Sequence, residues 1–272
     1  MEISGNIEWQ TPTAPELVLD LLVAEAGELP VAALCRAASL FGMNEQVMRV
    51  ALTRLRAQGK VRRTARGRYT VQRGRLALTE VVDQWQQRQT EQVAWQGQWV
   101  AVADGAVRRQ DKTDWRRHAL ALQLRGFAML APGLCLRPDN LVHGVAGERQ
   151  RLQALGLSPL ALVLGLQRLE DDALVRAQAL WRGAALPAHY RALATALRRS
   201  ARRLPRLSLA DATRESLLAG RTVIAQLLRD PLLPGELMDA RAREQLLASM
   251  RDYQQQARAL CRAYLALAPE EL

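Results

Sequence analysis

The first seventy residues show apolar positions at helical spacing, followed by a short alternating stretch. A first helix is predicted to begin near Pro15, and a second lies within "LPVAALCRAASLFG". Gly42 is a plausible C-cap of the second helix, and Asn44 is a natural N-cap for a third helix that runs to Gly59. Only a tight turn therefore separates the second and third helices. The alternation in "KVRRTARGRYTV" predicts a two-stranded hairpin. Together these elements predict a helix-turn-helix followed by a wing.

The third predicted helix has an apolar side and a polar side when its residues are placed at intervals of about 100°. The predicted core side consists of Val47, Met48, Ala51, Leu52 and Leu55. The opposite side carries Gln46, Arg49, Val50 and Thr53, with Arg54 and Arg56 on its flanks. We expect the apolar side to pack against the first two helices and the polar side to remain exposed.

Beyond the hairpin, short apolar runs alternate with helical patterns. Residues 79–93 are a predicted helical connector. There follow a strand at 99–103, a helix at 113–126, two strands split by Pro132-Gly133, a helix at 147–156 and a strand within 160–168. The order β-α-β-β-α-β is that of a ferredoxin-like module. Two further helices, within 215–228 and 234–267, complete an α+β chain that is mostly helical.

Positive charge is concentrated in one part of the chain. The 272 residues carry a net charge of +11. The 33 residues from Met43 to Arg75 account for +9 of it, because they contain ten basic residues and one acidic residue, Glu45. A concentrated basic surface usually binds a polyanion. Near a helix N-terminus, a Gln side chain suits adenine and an Arg side chain suits guanine.

The predicted DNA-binding residues lie on the third helix and the hairpin. Those of the helix are Asn44, Gln46, Arg49, Val50, Thr53, Arg54 and Arg56. Those of the hairpin are Arg62, Arg63, Arg66 and Arg68, which suit phosphates or a minor groove. The alternative is a solvated basic face, which is common in Arg-rich helices.

A second basic cluster consists of Arg198, Arg199, Arg202 and Arg203, two i,i+4 pairs on one predicted helix. Like charges this close repel one another unless anions lie among them. The cluster is either a solvated face paired with acidic residues elsewhere or a phosphate site, for an effector or for additional DNA backbone.

The chain has no motif that points to catalysis or to a bound cofactor. We find no P-loop, no G-x-G-x-x-G and no G-x-S-x-G, and the three cysteines have no metal-binding spacing. With no apolar run of about 18 residues and no secretory signal, we expect a cytoplasmic protein without a membrane segment. The apolar face of the last predicted helix suits either packing within its own domain or a dimer face.

Five segments, in order, resemble the PaaX-like regulators. They are "WQGQWVAV", "RRHALALQLRGFAMLAPGLCLRPDNL", "LQALGL", "ALW" with Tyr190 downstream, and "LLRDPLLPGELM". The helix "NEQVMRVALTRLRAQGKV" resembles the recognition helix of that family, and the likeness extends over roughly residues 15–265.

The resemblance implies a domain layout and a function. The layout is a winged helix-turn-helix domain with connector (1–92), a ferredoxin-like (Cas2-like) middle domain (93–175) and a helical C-terminal effector or dimerisation domain (176–272). The function is that of a homodimeric repressor of a phenylacetate-type catabolic operon, which binds double-stranded DNA and is released by an acyl-CoA thioester. Cys135 stands where relatives commonly carry an aromatic residue, so the thioester need not be phenylacetyl-CoA. Because the sequence has no catalytic constellation, we expect no cofactor and no enzymatic activity.

Two other functions remain open at this point. Asp104, at the end of a predicted strand, could serve a Cas2-like metal-dependent nuclease, although a turn Asp before Gly explains this residue better. A winged helix could also bind RNA or a protein partner.

Overall fold

The computed structural model describes residues 7, 9–24, 27–72, 88–181 and 185–267. The protein is a mixed α+β structure, mostly helical, with two small antiparallel sheets, which confirms the predicted fold class at this level. The described residues form two compact units. Unit 1 contains residues up to 72 together with 191–225 and 245–267, and unit 2 contains 88–181, 185–190 and 226–244. The division into three consecutive domains stays a prediction.

The helices and strands are numbered in chain order. The helices are α1 Ala14–Ala24, α2 Val31–Ser39, α3 Glu45–Ala57, α4 Lys112–Leu124, α5 Gly144–Leu155, α6 Asp171–Ala179, α7 Ala185–Arg203, α8 Leu209–Leu228 and α9 Arg241–Ala266. The strands are β1 Glu28–Pro30, β2 Val61–Ala65, β3 Arg68–Val71, β4 Trp99–Ala103, β5 Ala128–Ala131, β6 Leu134–Pro138 and β7 Leu162–Leu166. Among the described residues, no helix is both long and apolar enough to cross a membrane.

Two departures from the sequence pattern concern the N-terminal half. The three-residue strand β1 is too short to leave an alternating signal, and the pattern does not predict it. The predicted connector at 79–93 lies largely outside the described residues, and its described part begins with a single 3₁₀ turn, Arg88–Glu91.

The N-terminal part of unit 1 consists of α1, α2 and α3 with an antiparallel sheet of order β1-β3-β2. Apolar side chains from all three helices and from β2 and β3 form one buried cluster, whose members include Leu17, Leu21, Leu34, Met48, Leu52, Leu55, Val61 and Val71. This packing leaves the side of α3 opposite Met48 and Leu55 free of the core.

The C-terminal part of unit 1 packs on the same core, although it is distant in sequence. Cys261 of α9 belongs to the buried cluster, and Leu217 of α8 and Leu265 of α9 pack against it. The Arg221 guanidinium of α8 lies 2.8 Å from the Glu16 carboxylate of α1. The DNA-binding candidate residues therefore share a compact unit with the last helices of the chain.

The apolar face of α9 is buried within the chain. Leu246, Leu247, Met250, Tyr253 and Tyr264 are all buried. Of the two interpretations of this face, the structure favours intramolecular packing over an exposed dimer face.

Unit 2 contains the element order β4-α4-β5-β6-α5-β7, with an antiparallel sheet of order β5-β6-β4-β7. One face of the sheet packs against α4 and α5 through Val100, Val102 and Val163, with Leu122 and Leu152 from the helices. The other face buries Trp99, Ala101 and Leu136 with Ala177 of α6. The Trp99 ring stacks on Trp181, with centroids 6.1 Å apart.

Buried polar side chains of unit 2 hold the backbone of residues 227–233. Arg88 donates hydrogen bonds to the carbonyls of Leu227 (3.1 Å) and Asp230 (3.2 Å). Arg137, which is fully buried, donates to the carbonyl of Pro231 at 3.2 Å. These bonds satisfy carbonyls that an irregular buried segment would otherwise leave unpaired.

Candidate nucleic-acid interface

Helix α3 begins at a side-chain cap and buries one face. The Asn44 side chain accepts a hydrogen bond from the Val47 amide at 2.9 Å, as predicted for an N-cap. Met48, Ala51, Leu52 and Leu55 are buried, which confirms most of the predicted core side. The prediction for Val47 is wrong, because that side chain is 44% exposed. It lies at the edge of the apolar side, where the neighbouring elements provide no cover.

The opposite side of α3 is exposed along its length. Gln46, Arg49, Val50, Thr53, Arg54 and Arg56 are all exposed, as is the cap residue Asn44. The structure thus brings the predicted base-reading residues to one solvent-accessible face. An amide, guanidinium groups and a hydroxyl on one helix face are groups that can bind base edges and phosphates in a major groove.

Arg49 has an acidic neighbour on the same helix. Its Nε donates to Glu45 Oε1 at 2.6 Å, and both side chains are well exposed. The hydrogen bond and charge of Glu45 raise the pKa of Arg49. An exposed i,i+4 pair contributes little to stability, so Arg49 can exchange Glu45 for another acceptor at small cost. The i,i+4 spacing of Glu45 and Arg49 is the sequence signal for this pair.

The hairpin β2–β3 forms as predicted, with its turn at Arg66 and Gly67. Gly67 has φ +74°, a left-handed conformation that glycine adopts without a steric cost. The side chains of Arg62, Arg63 and Arg66 are exposed. They present three guanidinium groups beside the turn, which suits contact with a polyanion.

Arg68, the fourth predicted hairpin residue, is paired with an acid that sequence spacing does not reveal. Its Nε donates to Glu28 Oε1 of β1 at 2.6 Å, because β1 and β2 flank β3 in the sheet. Hydrogen bonds from Thr64 and from Arg68 lower the pKa of Glu28. Glu28 is therefore ionised at neutral pH and offsets the charge of Arg68. Arg73 and Arg75, which the sequence adds to this basic stretch, lie outside the described residues.

The second basic cluster lies on the last two turns of α7, in unit 1. Arg203 is paired with Glu215 of α8, and Arg198 donates to the Thr195 hydroxyl at 3.1 Å. Arg199 and Arg202 are exposed, and the described residues include no acidic group within ion-pair distance of either. The structure thus divides the predicted cluster into two parts. Arg203 is paired with a carboxylate, whereas Arg198, Arg199 and Arg202 are exposed to solvent.

Asp104, the aspartate of the nuclease alternative, is buried at 5% exposure. Its Oδ2 lies 3.1 Å from Nε2 of the fully buried His118, whose Nδ1 accepts a hydrogen bond from the Ser158 amide at 3.2 Å. With Nδ1 accepting, Nε2 carries the proton and donates to the carboxylate. The geometry accounts for Asp104 as the acceptor for a core histidine.

Comparisons with known proteins bear on the N-terminal part and on the fold. The family model described as PaaX-like protein matches residues 16–73, which confirms the predicted resemblance over that stretch. The structure is similar to that of a Mycobacterium tuberculosis protein described as the uncharacterized protein Rv0674, with a TM-score of 0.60 and 23% sequence identity. That similarity covers 93% of this chain and 98% of the other, and at this identity it concerns the fold. No curated protein matches the chain.

Proposed function

We propose that the protein is a winged-helix transcriptional regulator that binds double-stranded DNA. The observation that carries the proposal is the exposed side of α3, where Gln46, Arg49 and Thr53 stand beside a hairpin with three exposed arginines. The stretch that holds these elements is the one that matches the PaaX-like family. A helix of this kind enters a major groove with its N-terminal residues at the base edges.

In this mechanism the helix and the hairpin have different tasks. Gln46 and Arg49 read base edges, and Glu45 holds the Arg49 side chain until a base or phosphate replaces it. Arg62, Arg63 and Arg66 neutralise backbone phosphates next to the groove and fix the position of α3. The protein acts as a homodimer that places two copies of α3 in successive major grooves, so the operator contains two related half-sites. This role requires no catalysis.

The test is a selection of bound fragments from genomic DNA with the full-length protein, followed by titrations of the selected duplex. The protein should bind the selected DNA duplex much more tightly than it binds a random DNA duplex or an RNA duplex of the same sequence. Arg49→Ala should reduce the preference for the selected duplex over a random duplex by roughly five- to a hundredfold. Preferential binding of RNA, or the absence of any duplex binding, would refute the proposal in favour of another winged-helix partner. Metal-dependent cleavage that Asp104→Asn abolishes would favour the nuclease.

We further propose that the regulator represses an aromatic-compound catabolic operon and is released by an acyl-CoA thioester. The phosphates of a CoA thioester require cations. In the described residues, Arg198, Arg199 and Arg202 of the α7 cluster are exposed without an acidic neighbour, and Arg198 already donates to the Thr195 hydroxyl. An inducer must bind the free protein more tightly than the DNA-bound protein, otherwise it shifts no population.

The effector is tested by calorimetric titration with a series of aryl- and acyl-CoA thioesters. An Arg199→Ala/Arg202→Ala variant should bind the effective thioester at least tenfold more weakly than wild type, as expected for the loss of charge-assisted contacts. Arg258→Ala, which removes an exposed arginine of α9, is the matched control and should bind normally. Equal affinity in wild type and the double variant would show that the thioester binds elsewhere. If no thioester binds wild type, the effector belongs to another chemical class.

A further inference from the structure

Two valines of α3 are exposed between polar and basic side chains. Val50 is 62% exposed and Val47 is 44% exposed, and neither belongs to the buried cluster that α3 forms with α1 and α2. Valine is not a strong helix former, because its branched side chain loses rotamer freedom against the preceding turn. Neither burial nor helix propensity therefore accounts for an apolar surface at these two positions.

The position of Val50 places it at the centre of the proposed DNA-reading surface. On a helix, residues three and four apart are neighbours, so Val50 adjoins Gln46 and Arg54 at four residues and Val47 and Thr53 at three. Arg54 supplies positive charge beside the apolar patch. A surface that is apolar at its centre and cationic at its flank is complementary to a major groove, in which apolar groups lie between two phosphate backbones.

The base edges of the major groove carry one apolar group, the 5-methyl of thymine. Thymine pairs with adenine, the base that a Gln side chain recognises through two hydrogen bonds. We propose that Val50, with Val47 beside it, contacts thymine 5-methyl groups and, together with Gln46, selects A·T pairs. This inference rests on the proposed binding of duplex DNA, and it names part of the sequence that α3 reads.

The structure also predicts that the relevant variants fold. Val50 is mostly exposed, and alanine is a better helix former than valine, so Val50→Ala removes two methyl groups without opening a cavity. Val175 of α6 is a matched control, because it is also a helical valine and is 54% exposed, but it lies in unit 2.

The experiment is a double-mutant cycle between the protein and the selected duplex. Each thymine of the duplex is replaced in turn by uracil, which pairs in the same way and lacks the 5-methyl group. We expect uracil at one or two positions to weaken wild-type binding about fourfold, the effect of losing one buried methyl group. Val50→Ala should bind the unmodified duplex several-fold more weakly and should no longer distinguish thymine from uracil at those positions. Val175→Ala should retain the full discrimination.

Two outcomes would overturn the inference without affecting the proposed function. If uracil weakens wild type and Val50→Ala by the same factor at every position, the methyl groups are read by other residues. If Val50→Ala changes the molecular mass in sedimentation while leaving DNA affinity intact, the patch contacts a second copy of the chain. Failure of wild type to bind the unmodified duplex is a separate readout, and it would refute the proposed function together with this inference.

Discussion

Removal of the exposed hairpin charges should flatten the salt dependence of DNA binding in proportion to the number of phosphates that they contact. Arg62, Arg63 and Arg66 are exposed, whereas Arg68 is paired with Glu28. Each neutralised phosphate contributes about 0.9 to the slope of log K against log salt concentration. The triple alanine variant should therefore lose about 2.7 of that slope if all three arginines contact phosphates.

The same reasoning distinguishes the fourth arginine from the other three. The charge of Arg68 is already offset by Glu28, so Arg68→Ala should change the slope by much less than 0.9. Glu28→Gln should have the opposite effect, because it frees Arg68 to contact a phosphate. Binding of Glu28→Gln to any duplex should then depend more steeply on salt than binding of wild type.

The assay is a fluorescence-anisotropy titration of a labelled duplex at several salt concentrations. Between about 50 and 200 mM salt, wild type should lose roughly 40-fold more affinity than the triple variant, which follows from a slope difference of about 2.7. An unchanged slope in the triple variant would show that the hairpin does not contact DNA. A loss of about 0.9 for Arg68→Ala would show that its pairing with Glu28 does not persist on DNA.

Three further predictions test the reading helix and unit 2. Arg49→Ala should weaken binding to the preferred site by roughly five- to a hundredfold and relax one base position, whereas equal losses on specific and random duplexes would make Arg49 a phosphate contact. Gly126→Ala should lower the free energy of unfolding by about 3 kcal/mol, because Gly126 has φ +72° and an added Cβ would lie 2.5 Å from Pro231 Cα. Chemical denaturation measures this change, and a variant as stable as wild type would contradict this packing. Burial raises the pKa of Glu148, but the hydrogen bonds of Arg125 and the charges of Arg125, Arg137 and Arg151 together outweigh burial and hold the pKa below its ordinary value. The ionised carboxylate therefore stabilises the fold above about pH 4.5 and less as pH falls further, so Glu148→Gln should be less stable at pH 7 and show a weaker pH dependence below 4.5 than wild type.

Buried arginines fix the backbone of residues 227–233 in unit 2. Arg88 and Arg137 bind carbonyls of this segment, and Leu232 within it has φ +52°, an uncommon conformation for a branched side chain. The Asp230 carboxylate accepts a hydrogen bond from the Leu232 amide at 2.7 Å and supports this conformation. Together these hydrogen bonds hold the segment in one arrangement.

Local signals in the sequence were sufficient to predict α3 and the hairpin. The cap at Asn44, the spacing of Met48 and Leu55, and the glycine at position 67 each act within a few residues, so their effect does not depend on the rest of the fold. The order of elements in unit 2 follows for the same reason, because apolar runs and Pro-Gly turns determine strands and helices locally.

Contacts between distant segments could not be predicted from the sequence, and they decide which residues are available for binding. Val47 lies at the boundary of the apolar side, and only the placement of neighbouring elements leaves it exposed. Arg68 and Arg203 appear in the sequence as members of uniform basic clusters. In the structure, sheet pairing brings Glu28 to Arg68, and the packing of α8 on α7 brings Glu215 to Arg203. Pattern and spacing in the sequence determine the secondary structure and the sign of the charge on a surface. Three-dimensional packing decides which of those charges are paired, because an ion pair requires proximity in space and not in sequence.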